Sequence, residues 1–233
     1  MPMNPRLLRP LATGFNPRSI AGLSGWWDAD DASTITLNST TVSEWRDKSG
    51  NGQHLLQNTA LNQPIYTVNA QNGRAVATFS STFMKVDSVS LPQPFTVIAA
   101  YRQTATIQQR VLLSGNPSAG STLNMMVVTN PSSLSGMNLG TAFFPISSTT
   151  TWQTQHHVGN GASSVVARNL DPDITGDAGL NGPLSLVLGS GASGSSGFFQ
   201  GSLGELVIYN RALTRTEREQ LVRSFANRWG ITV

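Results

Sequence analysis

The chain has 233 residues, a formal net charge of +3 and no cysteine. The missing thiols exclude disulfides and thiolate metal centres. Charged residues make up 12% of the chain, against abundant Ser, Thr, Asn, Gln and Gly. That composition gives a polar, weakly charged surface, suited to packing against other proteins or to an ordinary β-sandwich.

In chain order, residues 1–20 come first, with Pro2, Pro5, Pro10 and Pro17 and no acidic residue. Proline fixes φ and removes amide donors, so an extended arm is expected. Leu7, Leu8, Leu11 and Phe15 offer it apolar contacts, and Arg6, Arg9 and Arg18 offer charge. Three arginines without a wider basic stripe supply few phosphate contacts, so nucleic acid is not an expected partner. No apolar run reaches membrane-spanning length, and no apolar leader core follows the first arginines.

The body is expected from about Gly22. Trp26 and Trp27 are adjacent, and neighbours on a strand point to opposite faces. One of them is therefore a candidate sugar-stacking surface. Asp47 to Gly52 reads as a turn. Strands are expected at 75–79, 95–101, 110–114, 123–129, 137–144, 151–158, 163–168, 184–188 and 203–209, separated by Gly-, Ser-, Asn- and Pro-rich turns. Many short strands with one good helix indicate an all-β sandwich.

Three apparent motifs carry little chemistry. Gly189 to Gly194 matches G-x-G-x-x-G, but no helix follows to cradle a phosphate. His156 and His157 are consecutive on a strand and cannot easily share a metal. Asp171, Asp173 and Asp177 place oxygens like the first half of a calcium loop, with Gly176 at the sixth position, but Gly182 stands where a bidentate Glu belongs. Calcium is thus a weak candidate, and no other cofactor is expected. Retaining glycoside hydrolysis needs two carboxyl groups about 5 Å apart. Glu217 and Glu219 belong to a helix start, while Glu44 and Glu205 stand alone. The chain is expected not to be an enzyme.

The C-terminal stretch is the most patterned. Gly201 to Gly204 reads as a turn and Leu203 to Tyr209 as a strand covered on both faces. Thr214 with Glu217 forms a capping box; Leu221, Phe225 and Trp229 form one apolar stripe; Gly230 supplies the left-handed stop.

Residues 201–214 (GSLGELVIYNRALT) with Glu217, together with the blocks at 22–30 (GLSGWWDAD) and 42–52 (VSEWRDKSGNG), carry a resemblance. They resemble the signatures of laminin-G-like domains of the concanavalin A-like lectin/glucanase superfamily, over about residues 20–229. The resemblance implies a two-sheet antiparallel jelly-roll sandwich with a short C-terminal helix. The expected layout is an arm over 1–20, a sandwich over 21–213 and a docked helix over 214–233. Where the family often has an Asp-rich turn, this chain has Phe79-Ser80-Ser81-Thr82-Phe83, which weakens any carried-over calcium or glycan site. Such domains are frequent in bacteriophage structural proteins. The expectation is therefore a non-catalytic virion protein, such as a capsid decoration or cement protein. It would be anchored by its arm on the major capsid protein or a neighbouring subunit, oligomeric in the particle and away from membranes. The alternative is a carbohydrate-binding tail or fibre module that recognises a host glycan.

Overall fold

The structure, a computed structural model, describes residues 15–116, 123–191, 194 and 196–233. It is all-β apart from one C-terminal helix and short 3-10 turns. In chain order the strands are β1 Leu23–Asp28, β2 Ile35–Asn38, β3 Thr41–Trp45, β4 Leu55–Leu56, β5 Ile65–Gln71, β6 Arg74–Ser80, β7 Met84–Val86, β8 Phe95–Gln103 and β9 Arg110–Ser114. They continue as β10 Leu123–Thr129, β11 Leu134–Leu139, β12 Ala142–Ser147, β13 Gln153–Gly159, β14 Ser164–Arg168, β15 Ile174–Gly176, β16 Leu186–Leu188 and β17 Gln200–Tyr209, before the helix α1 Arg215–Trp229.

Antiparallel pairing joins all 17 strands into one nearly closed ladder. One arm runs β1–β17–β8–β13–β14–β15. The other leaves the start of β17 through β6, β5, β3 and β4, and continues through β7, β16, β9, β10, β11 and β12. β2 closes an edge on β3. The alternation of β8 explains its central place. Phe95, Val97, Ala99 and Tyr101 enter the main core, while Ile98 and Ala100 enter a second cluster under the helix.

α1 seals that second cluster. Thr214 accepts the Glu217 amide and Glu217 reaches back to the Thr214 amide, closing the capping box. Gly230 stops the helix at φ 63°. Leu221, Phe225 and Trp229 are all buried against β8 and β17 residues, as the stripe predicts.

Three local expectations change. The stretch 137–144 is not one strand but the turn of the β11–β12 hairpin, with Gly140 at φ 109°. Gly201 and Gly204 lie inside β17 rather than in a turn. They are glycine because of close approach: a Cβ on Gly201 would strike the Arg102 carbonyl, and one on Gly204 would sit 2.7 Å from the Trp229 ring. Finally, the described end of the arm belongs to the body. Asn16 caps the turn Pro17–Ser19, Pro17 and Ile20 are buried, and the Tyr209 hydroxyl donates to the Pro17 carbonyl at 3.0 Å. Arg18 donates through Nε to the Lys48 carbonyl at 2.9 Å. Arg6, Leu7, Leu8, Arg9 and Leu11 lie outside the described residues.

Candidate functional site: a polar groove beside the helix

The register of β1 on β17 sets Asp28 directly opposite Glu205. Both are buried, and between them they take side-chain donors from β1, α1 and the Lys48 loop. Trp26 Nε1 of β1 donates to Glu205 Oε1 at 2.9 Å, and Trp229 Nε1 of α1 donates to Oε2 at 3.1 Å. Arg228 Nη2 donates to Asp28 Oδ1 at 2.9 Å and Oδ2 at 2.8 Å, while its Nη1 stands 3.7 Å from Glu205 Oε2. Lys48 Nζ bridges Asp28 Oδ2 at 2.8 Å and Asp31 Oδ2 at 2.7 Å, and lies 4.4 Å over the Trp26 ring. Arg74 pairs with Asp30, whose other oxygen accepts the Ala75 amide at 3.1 Å.

This arrangement sets the charges. Burial, and then the Asp28 charge, push the Glu205 carboxyl up to about 7. Burial also acts to raise Asp30, but the Ala75 amide and Arg74 hold it below the usual carboxylate range. The Lys48 ammonium, through its hydrogen bond, holds Asp31 low.

Above this network lies an open groove of about 950 Å³. Trp26, Asp28, Glu205 and Arg228 form its floor. Phe15, Asn16, Asp31 and Lys48 form one rim. The wall is α1, through Gln220, Arg223, Ser224 and Asn227. The helical period puts these four on one polar face beside the buried stripe.

The expected site residues fare differently. Trp27 is fully buried in the main core, its Nε1 donating to the Gln53 carbonyl at 3.1 Å. Trp26 borders the groove, but it is 9% exposed and Lys48 covers its ring. Neither offers an open stacking face. The reason is that β1 is covered on both sides, so adjacent tryptophans enter different cores. Phe15 and Arg18 of the arm sit on the chain's own surface, Phe15 half-buried against the helix-side cluster.

The calcium loop is also corrected. Asp173 is paired with Arg218, and with Arg215 at 3.5 Å. Asp177 Oδ1 accepts the Gly179 amide at 2.8 Å within its own turn. Asp171 does not join them: among the described residues no group of three or more His, Asp or Glu is placed to hold a metal ion. His156 and His157 separate as expected. His157 meets the Met125 carbonyl at 2.7 Å, and burial pulls it down to about 3. His156 meets Arg218 Nε at 3.1 Å, and burial, then Arg218, pull it down to about 4.

Glu205 does not stand alone, as its sequence position suggests; the cross-strand pairing brings Asp28 to it. One signal was present. An acid inside the apolar run Leu203 to Ile208 has to be paired or neutral when the strand is buried.

No protein-family model matches the chain, and no curated protein matches it. Solved structures do. A GH54 α-L-arabinofuranosidase is similar at 14% identity and a TM-score of 0.61, covering 81% of this chain and 51% of that one. Domain 4 of a GH43 extracellular arabinanase from Geobacillus stearothermophilus, solved with arabinotriose, is 15% identical at a TM-score of 0.56 and covers 86% and 98%. Trypanosoma rangeli sialidase is 15% identical at a TM-score of 0.55. This chain spans 33% of the sialidase's length, with 90% of itself covered. At these identities the likeness concerns the fold alone, which is all-β.

Proposed function

We propose that the chain is a non-catalytic carbohydrate-recognition module, built as a concanavalin A-like jelly roll of two facing sheets. The two arms of the ladder both contribute to one main core, β8 and β17 from one side and β9 to β11 from the other, which supports the two-sheet reading. The observation that carries the function is the groove. Its wall presents Gln220, Arg223, Ser224 and Asn227 with polar ends uncommitted among the described residues, beside Phe15 and Trp26, over carboxylates whose four oxygens each already accept a donor. A glycosidase needs one carboxyl free to protonate the leaving oxygen and a second free to attack or to activate water. Asp28 and Glu205 are spent on Trp26, Trp229, Arg228 and Lys48 instead. The GH43 domain solved with arabinotriose supports a sugar-binding role for a module of this fold and size.

The test is affinity electrophoresis of the purified protein against a panel of polysaccharides, together with a reducing-sugar assay. Retardation by at least one polysaccharide with no sugar release is expected. Sugar release abolished by Asp28→Asn would overturn the non-catalytic reading, and no retardation by any member would overturn recognition. A second reading, a virion decoration or cement subunit, is supported by the laminin-G-like signatures at 22–30, 42–52 and 201–214. It predicts co-sedimentation with particles that is lost when residues 1–14 are removed.

A further inference from the structure

We infer that the groove selects carboxylate-bearing sugars, of uronic-acid type, with Arg223 as the residue that reads the carboxylate. The inference rests on the carbohydrate reading and deepens it. It starts from a count of charges around the groove. The floor and rim hold Asp28, Asp30, Asp31 and Glu205 against Lys48, Arg74 and Arg228, and each of these bases is already engaged by one or more of the acids. Arg223 differs. It is exposed on the wall, lines the groove and is paired with no carboxylate among the described residues.

A guanidinium is a planar fork that matches a carboxylate with two parallel N–H···O bonds, and an unpaired one in a concave site favours that anion. Its neighbours fit the rest of such a sugar. Gln220 and Asn227 lie three residues before and four after Arg223, and Ser224 adjoins it, so all four share one helix face. The two amides and the hydroxyl can both donate to and accept from ring hydroxyls. Asn16 on the opposite rim offers a third amide. Arg228 and Lys48 beneath are already neutralised by buried or half-buried carboxylates, so they offer an incoming anion less unbalanced charge than Arg223 does.

The probes are polygalacturonate and its fully methyl-esterified form, which keeps the backbone and hydroxyls but removes the charge. Binding is measured by affinity electrophoresis and calorimetry at low and high salt, with the wild-type chain and with Arg223→Gln. Arg223 is exposed and holds no other side chain among the described residues, so the substitution should fold normally, which an unchanged Tm verifies. The expected result is binding to polygalacturonate, at least ten-fold weaker to the ester, and about ten-fold weaker again for Arg223→Gln, with the difference shrinking in high salt. Equal binding to acid and ester, unaffected by Arg223→Gln, would overturn this inference and leave carbohydrate recognition standing. Binding to neutral glycans alone would do the same. Failure to bind any polysaccharide would overturn both.

Discussion

At the residue scale, Glu205 shows what a buried acid does to stability. Its folded pKa is raised above that of an unfolded glutamate, so the unfolded chain gives up this proton first. Its contribution is therefore most favourable at low pH and declines as pH rises from about 4.5 to about 7, by on the order of 3 kcal/mol. His156 and His157 act in the opposite sense. Both are depressed, so the unfolded chain binds their protons first and stability falls as pH drops below about 6.5. The two trends overlap, which makes the raw profile of the wild type uninformative. The difference between wild type and Glu205→Gln isolates one of them. Melting temperatures measured from pH 4.5 to 8 should show the wild type losing ground relative to the variant as pH rises. A difference that is flat across this range means Glu205 titrates normally. In the sequence, Glu205 was visible as a misfit within an apolar run, but its partner was not. Asp28 reaches it only through strand register.

At the element scale, α1 was legible because its signals are local. The cap, the stripe and the stop glycine lie within 214–230 and need no distant partner to be read. The β11–β12 hairpin was illegible for a related reason. Gly140-Thr141 interrupts the mostly apolar stretch 137–144 too briefly to distinguish a tight turn from a strand glycine. Gly201 and Gly204 misled in the other direction, since a glycine that admits a tryptophan ring looks the same in sequence as one that turns the chain. Trp229 ties α1 down three ways. It is fully buried, it donates to Glu205, and it stacks on Trp152 with centroids 6.1 Å apart and planes 5° from parallel. Trp229→Ala should cost about 3–5 kcal/mol, read by chemical denaturation. A loss below about 1 kcal/mol would mean that the helix is not held by this residue.

At the scale of the whole molecule, the sequence conveyed the all-β class and the long buried strands, but not β2 to β5, β7 or β15, and not the ladder. Pairings such as β1 with β17 join opposite ends of the chain, and nothing local encodes them. Proline content signals extension over residues 1–20 without saying against what the chain packs. Pro17 and Ile20 pack on the body, and Arg18 ties them to the Lys48 loop. A chain beginning at Gly22 should therefore lose about 2 kcal/mol of stability relative to one beginning at Phe15. Equal thermal denaturation of the two would show that residues 15–20 add nothing to the body.

The position of β17 has a consequence for biosynthesis. It pairs with β1, β6 and β8, yet it is made after all the other described strands. During translation those earlier strands leave the ribosome without the neighbour they share. At about 5–20 residues per second, roughly 5–20 s pass between Gln103 at the end of β8 and Tyr209 at the end of β17. β8, apolar on both faces, spends part of that interval as an open edge able to recruit other nascent chains. The sheet must then close after β17 is made rather than as its earlier strands emerge, and products that stop short of β17 should accumulate as aggregates or be degraded.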